Sequence, residues 1–91
     1  MTVLLSAGAE ADLRDLIDWL AEQSPDVARN GATRIFSALD RLDTFSLLGR
    51  ETGRDTRDLV IRFGRDGFVA RYRIVADGVV VERVFHGLQE R

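Results

Sequence analysis

Four residues of this 91-residue sequence have the types to do chemistry together: Arg62, Arg71, Arg73 and His86. Guanidiniums hold an anion such as a phosphate through forked N–H donors, and an imidazole beside them can move a proton near neutral pH. His86 is the one histidine, and all 13 basic residues are arginine. Without lysine there is no Schiff base and no lysine general acid, only permanently charged cations. Without cysteine there is no disulfide framework and no thiolate chemistry. One histidine and no cysteine also argue against a zinc site. No phosphate loop, nucleophile elbow or telling carboxylate pair is present, so no metal and no cofactor is expected.

The elements that must position these side chains follow from periodicity. Leu59, Ile61 and Phe63 alternate with Asp58, Val60 and Arg62, and Phe68, Ala70, Tyr72 and Ile74 alternate with Val69, Arg71, Arg73 and Val75. A period of two means strands. Gly64-Arg65-Asp66-Gly67 reads as a turn between them, and Asp77-Gly78 is the strongest hairpin signal, leading into a strand from Val79 to Phe85. If Asp77 and Gly78 are the two loop residues, Arg73 faces Glu82, Arg71 faces Val84 and Val69 faces His86. Ala70, Tyr72 and Ile74 then share a face with Val81, Arg83 and Phe85, joined by Leu59, Ile61 and Phe63. That face is expected to be the core side. The other carries Asp58, Arg62, Arg71, Arg73, Glu82 and His86 among valines, a mixture that cannot be buried unpaired. Two readings of this open face remain. It is an anion site with His86 as acid or base, or a solvated surface with Arg73–Glu82 and Asp58 in weak cross-strand ion pairs.

The first half of the chain is helical. Val3-Leu4-Leu5 is a short strand, and Ser6 caps a helix carrying Ala9, Leu13, Leu16, Ile17 and Leu20 on one stripe. Ser24-Pro25-Asp26 restarts a helix, whose stripe of Ala28, Ala32, Ile35, Leu39 and Leu42 reaches about Phe45. So tight a connection makes a helical hairpin. Gly31 costs ~1 kcal/mol against alanine in mid-helix, which close helix crossing would offset. Trp19 sits off the centre of its stripe, at the core edge or in a partner-binding patch. Residues 46–57 read as an exposed, charged loop. The expected fold is α+β in the order β-α-α-β-β-β, with the helical hairpin packed on one face of a mostly antiparallel sheet.

A mass of 10.2 kDa means one domain, residues 1–91. No apolar run approaches the ~20 residues of a membrane span, so a soluble, cytoplasmic protein is expected. Net charge is −2, and no global attraction to nucleic acid follows. The charges are segregated: residues 1–26 carry six acids against Arg14, and the remainder twelve arginines against nine acids.

Several stretches resemble the RelE/ParE superfamily of small toxins from bacterial toxin–antitoxin operons. They are Ala9-Glu10-Ala11-Asp12-Leu13, Trp19-Leu20-Ala21-Glu22-Gln23-Ser24-Pro25, Gly49-Arg50 and Thr56-Arg57-Asp58-Leu59-Val60-Ile61. Tyr72-Arg73-Ile74, Asp77-Gly78-Val79 and Arg83-Val84-Phe85-His86-Gly87 complete the series. The similarity spans nearly the whole chain. It implies a growth-inhibiting toxin neutralised by a small antitoxin lying across the helices and sheet edge. Leu16, Trp19, Leu20, Gly31 and Ile35 would belong to that surface.

The superfamily holds two activities. Members of the RelE-like branch cut messenger RNA on the ribosome, a reaction for which this chain could offer Arg57, Arg62, Arg71, Arg73 and His86. It lacks the lysines and the tyrosine of that pattern, and its acidity does not suit ribosomal RNA. The ParE-like branch poisons DNA gyrase, a protein target, through the C-terminal strand and tail, here Arg83, His86, Gln89 and Arg91. The ending Gly87-Leu88-Gln89-Glu90-Arg91 departs from the basic tails of relatives, and Ser46 replaces a common proline, which should loosen the 46–57 loop. The reading adopted is a ParE-like toxin that binds its antitoxin and acts without catalytic residues, membrane or direct DNA contact. The alternatives are a RelE-like endoribonuclease, or a degenerate toxin that keeps only antitoxin binding.

Overall fold

The computed structural model describes residues 2–87. Strand β1 (Thr2–Leu5) leads through Ser6 into helix α1 (Ala7–Ala21), and Ser24 starts helix α2 (Pro25–Arg41). Each serine hydroxyl accepts a backbone N–H three residues on, Ala9 and Val27 respectively, both at 3.0 Å. These are the helix N-caps expected of serine, with Pro25 in the first turn, where its missing N–H costs nothing. Helix α2 stops at Arg41, short of Phe45. Leu42 stays fully buried, and the chain tightens into turns that leave Phe45 exposed. No helix among the described residues is long and apolar enough to cross a membrane.

The second half forms β2 (Arg50–Gly53), β3 (Thr56–Ile61), β4 (Phe68–Val75) and β5 (Gly78–His86). The sheet order is β1-β5-β4-β3-β2, with β1 parallel to β5 and the other pairs antiparallel. There are thus five strands, one more than the periodicity indicated, because part of the expected 46–57 loop is the edge strand β2. All four of its residues are exposed, and its register slips between Glu51 and Gly53. Short, charged, irregular edges protect a sheet against further pairing and leave no alternation to read. The segment before β2 is also tied down rather than loose. The buried Tyr72 hydroxyl donates to the Ser46 carbonyl (2.7 Å) and accepts the Gly49 N–H (2.8 Å). Arg57 donates to the carbonyls of Gly49 (2.7 Å) and Leu47 (3.3 Å).

The last hairpin differs from its expected register. Val75 pairs with Gly78, so the two loop residues are Ala76 and Asp77. Gly78 is a strand residue lying against β1, where a Cβ would overlap the Thr2 carbonyl. Tyr72 then pairs with Val81 but Arg71 with Arg83, leaving Glu82 as an extra residue in β5. Such a bulge reverses which side chains face which side from that point on. Val84 and His86, opposite Ala70 and Phe68, turn to the helix side, and Arg83 and Phe85, opposite Arg71 and Val69, turn to the open face. The expected assignments of His86 to the open face, and of Arg83 and Phe85 to the core side, are therefore reversed. A guanidinium is spared burial.

The helices cover the face carrying Leu59, Ile61, Phe68, Ala70, Tyr72, Val79, Val81 and Val84, as the alternation of β3 and β4 implied. Leu13, Leu16 and Leu20 of α1 and Ile35 and Leu39 of α2 complete the core. Gly31 lets the helices cross closely: a Cβ there would stand 2.6 Å from Leu20 Cδ1. Leu39→Ala and Ile61→Ala, each emptying a buried site, should each cost ~2–5 kcal/mol in urea unfolding. Gly78→Ala should cost ~1–3 kcal/mol by overpacking, with faster hydrogen exchange of the Thr2 and Ser6 amides that β1 docking protects.

Candidate functional site

Three cross-strand rows make up the open face. The first runs Arg50, Asp58, Arg71, Arg83 across β2, β3, β4 and β5. Arg71 clasps Asp58 with both arms of its fork, Nε to Oδ1 at 2.9 Å and Nη2 to Oδ2 at 3.1 Å. Its guanidinium carbon lies 5.5 Å from the Phe85 ring centroid, a cation–π distance. The second row is apolar: Val60, Val69 and Phe85. Arg50, Asp58 and Arg71 of the first row and all of the second line a cleft of about 440 Å³. In the third, Thr56, Arg73 and Val80 stand abreast, and Arg73 Nε reaches Glu82 Oε2 at 2.9 Å. The ion pairs weighed from the sequence, Arg73–Glu82 and one from Asp58, are both present.

A second cleft, of about 630 Å³, opens along the edge of β5. Strand β1 accompanies β5 only as far as Val81, and α1 borders the rest. Here Asp12 takes the place of a neighbouring strand. Its Oδ2 accepts the Val84 N–H at 2.9 Å and Arg83 Nε at 2.7 Å, while Oδ1 takes Arg83 Nη2 at 3.3 Å. Asp15, Leu16 and Trp19 continue the α1 wall. The Trp19 and His86 rings meet edge to face at 5.0 Å, Phe68 lies 6.4 Å from His86, and Asp66 Oδ2 is 3.9 Å from His86 Nε2. Arg71 and Phe85 border this cleft as well as the other.

The residues singled out from the sequence separate accordingly. His86 and Arg71 face the edge cleft from opposite sides of the sheet, and Arg73 is turned to Glu82. Arg62 lies one residue past β3, exposed, its carbonyl accepting Arg34 Nη1 at 2.8 Å. Arg57 supports the segment before β2. The acid, base and cations that RNA cleavage would require thus do not converge on the open face. Of the expected antitoxin surface, Leu16 and the 45% exposed Trp19 line the edge cleft. Leu20, Gly31 and Ile35 are buried between the helices and the sheet and present no surface. Arg83 and His86 border the edge cleft, and Gln89 and Arg91 lie outside the described residues. Among the described residues no three His, Cys, Asp or Glu side chains gather as a metal site would need. Nothing local marks Asp12 and Phe85 as site residues, because Asp12 meets its partner 72 positions away and Phe85 depends on the bulge.

Comparison with known proteins agrees with this architecture. Residues 3–91 match the family model for the ParE toxin of the type II toxin–antitoxin system parDE. Toxin RelE1 of Caulobacter vibrioides is 40% identical over 90 residues, covering 99% of this chain and 97% of that protein. Toxin RelE3 of the same organism is 36% identical, covering 99% and 98%. A solved structure of the chromosomal ParDE system from P. aeruginosa superposes with a TM-score of 0.77 at 21% identity. That match covers 94% of this chain and 95% of the other and bears on the fold alone. On the family match and these two relatives, the chain belongs to the ParE toxin family of type II toxin–antitoxin systems, within the RelE/ParE superfamily.

Proposed function

We propose that this toxin arrests growth by binding a protein target, DNA gyrase, rather than by cutting RNA. The observation that carries the reading is the internal neutralisation of three arginines of the sheet, on β4 and β5. Arg71 is held by Asp58, Arg73 by Glu82 and Arg83 by Asp12. Binding a phosphate chain draws on uncompensated cations, and here each would first have to release a carboxylate. A binding toxin needs no converging acid and base. One observation favours the ribosome-dependent nuclease: Arg71, Arg83 and His86 all border the edge cleft.

A type II toxin has a cognate antitoxin, and the edge cleft is the surface that suits it. An exposed tryptophan in a concave site is the usual anchor of such an interface. The acidic outer face of α1, with Asp15, Asp18 and Glu22 exposed, would attract a basic segment. Trp19→Ala should weaken antitoxin binding by ~2 kcal/mol or more, about thirtyfold in Kd by calorimetry. Phe36→Ala, also exposed but outside the cleft, should leave it unchanged. For the target, the chain is to be expressed inducibly with and without its antitoxin. Filamentation with DNA-damage signalling and intact messenger RNA is the expected outcome. Rapid translation arrest with codon-positioned cuts would assign the nuclease instead, and absence of arrest would leave an antitoxin-binding module.

A further inference from the structure

The open face carries an apolar row on the side away from the helices, of which Val69 (9% exposed) and Phe85 (8%) are buried and Val60 stands out. Val60, Val69 and Phe85 stand abreast on β3, β4 and β5 and floor the cleft of about 440 Å³. Val60 is 66% exposed in mid-strand, where a polar residue would fold as well. The charge around this floor is lopsided. Arg71 is spent on Asp58 and lies against Phe85. Arg50, in line with Asp58 on β2, is exposed, and its guanidinium has no carboxylate partner among the described residues. Glu51, the acid next to Arg50, pairs instead with Arg57 (3.8 Å).

Resting on the reading that the toxin acts by binding, we propose that this cleft docks its protein target, through an acidic segment bearing an apolar side chain. The apolar residue sits against Val60, and the carboxylate meets Arg50. Nucleic acid suits the cleft less well. Single strands stack their bases on open aromatic faces, whereas here the exposed floor residue is valine, and Phe85 is 8% exposed with a guanidinium close by. The arrangement also explains neutralisation. Arg71 and Phe85 wall both clefts, so an antitoxin seated along the β5 edge presses on the target site from behind, and the two partners exclude one another.

The test uses Val60→Asp and Arg50→Glu, both at exposed positions, with Arg29→Glu, an exposed charge reversal on α2 outside both clefts, as the control and thermal unfolding to verify the fold. Survival after induction should rise at least a hundredfold for the two cleft variants, and their inhibition of purified gyrase should fall at least tenfold. Affinity for the antitoxin should stay within about twofold, and Arg29→Glu should remain toxic. If the wild-type chain leaves gyrase untouched while both cleft variants still relieve arrest, the gyrase assignment fails and the docking site stands. Undiminished arrest by both folded cleft variants would overturn the proposal. So would loss of antitoxin binding alongside toxicity, which would give this face to the antitoxin, or RNA cleavage by the wild type that both variants abolish.

Discussion

Glu82 occupies a place in β5 that has no counterpart in β4, and much of the molecule is organised around that extra residue. Its carbonyl accepts the Ser6 hydroxyl at 3.1 Å, and the same hydroxyl caps α1 by accepting the Ala9 N–H. The bulge is thereby bound to the junction where β1 ends and α1 begins. Its carboxylate holds Arg73. Beyond it the strand presents Val84 to the core and His86 to Trp19, while Arg83 and Phe85 emerge on the open side. A strand without the bulge would drive a guanidinium into the core, at a desolvation cost no neighbour there could offset.

The second consequence concerns the edge of β5. Once β1 stops at Val81, the strand would present unsatisfied backbone groups to any passing chain. Asp12 covers the Val84 N–H and holds Arg83 against the helix, so α1 closes the edge with a side chain rather than a strand. A partner segment can displace a side chain with far less rearrangement than a paired strand. The edge is thus covered in the isolated chain without being sealed against a further segment.

Much of the fold is legible in the sequence, because its signals are local. Ser6 and Ser24-Pro25 mark the helix starts, the stripe through Leu13 and Leu20 marks the buried face of α1, and the alternation through Leu59 and Ile61 marks the core side of β3. What escaped was governed by partners distant in the chain. Strand β2 has no apolar pattern of its own and is a strand only because β3 lies beside it. Gly78 reads as a turn glycine, yet its small size serves the approach of β1 from the other end of the chain. The segment after α2 reads as loose, yet Tyr72 and Arg57 hold it from neighbouring strands.

The sequence by itself determined the class of fold, the helical hairpin and the core face of β3 and β4, since periodicity and caps act over a few residues; the toxin superfamily came from the resemblance of whole stretches such as Arg83-Val84-Phe85-His86-Gly87. Only the tertiary structure decided which side of the sheet His86, Arg83 and Phe85 occupy. One bulged residue inverts every side chain after it, and nothing local announces it. It also decided which arginines are compensated, because charge cancellation depends on register across four strands rather than on spacing along one.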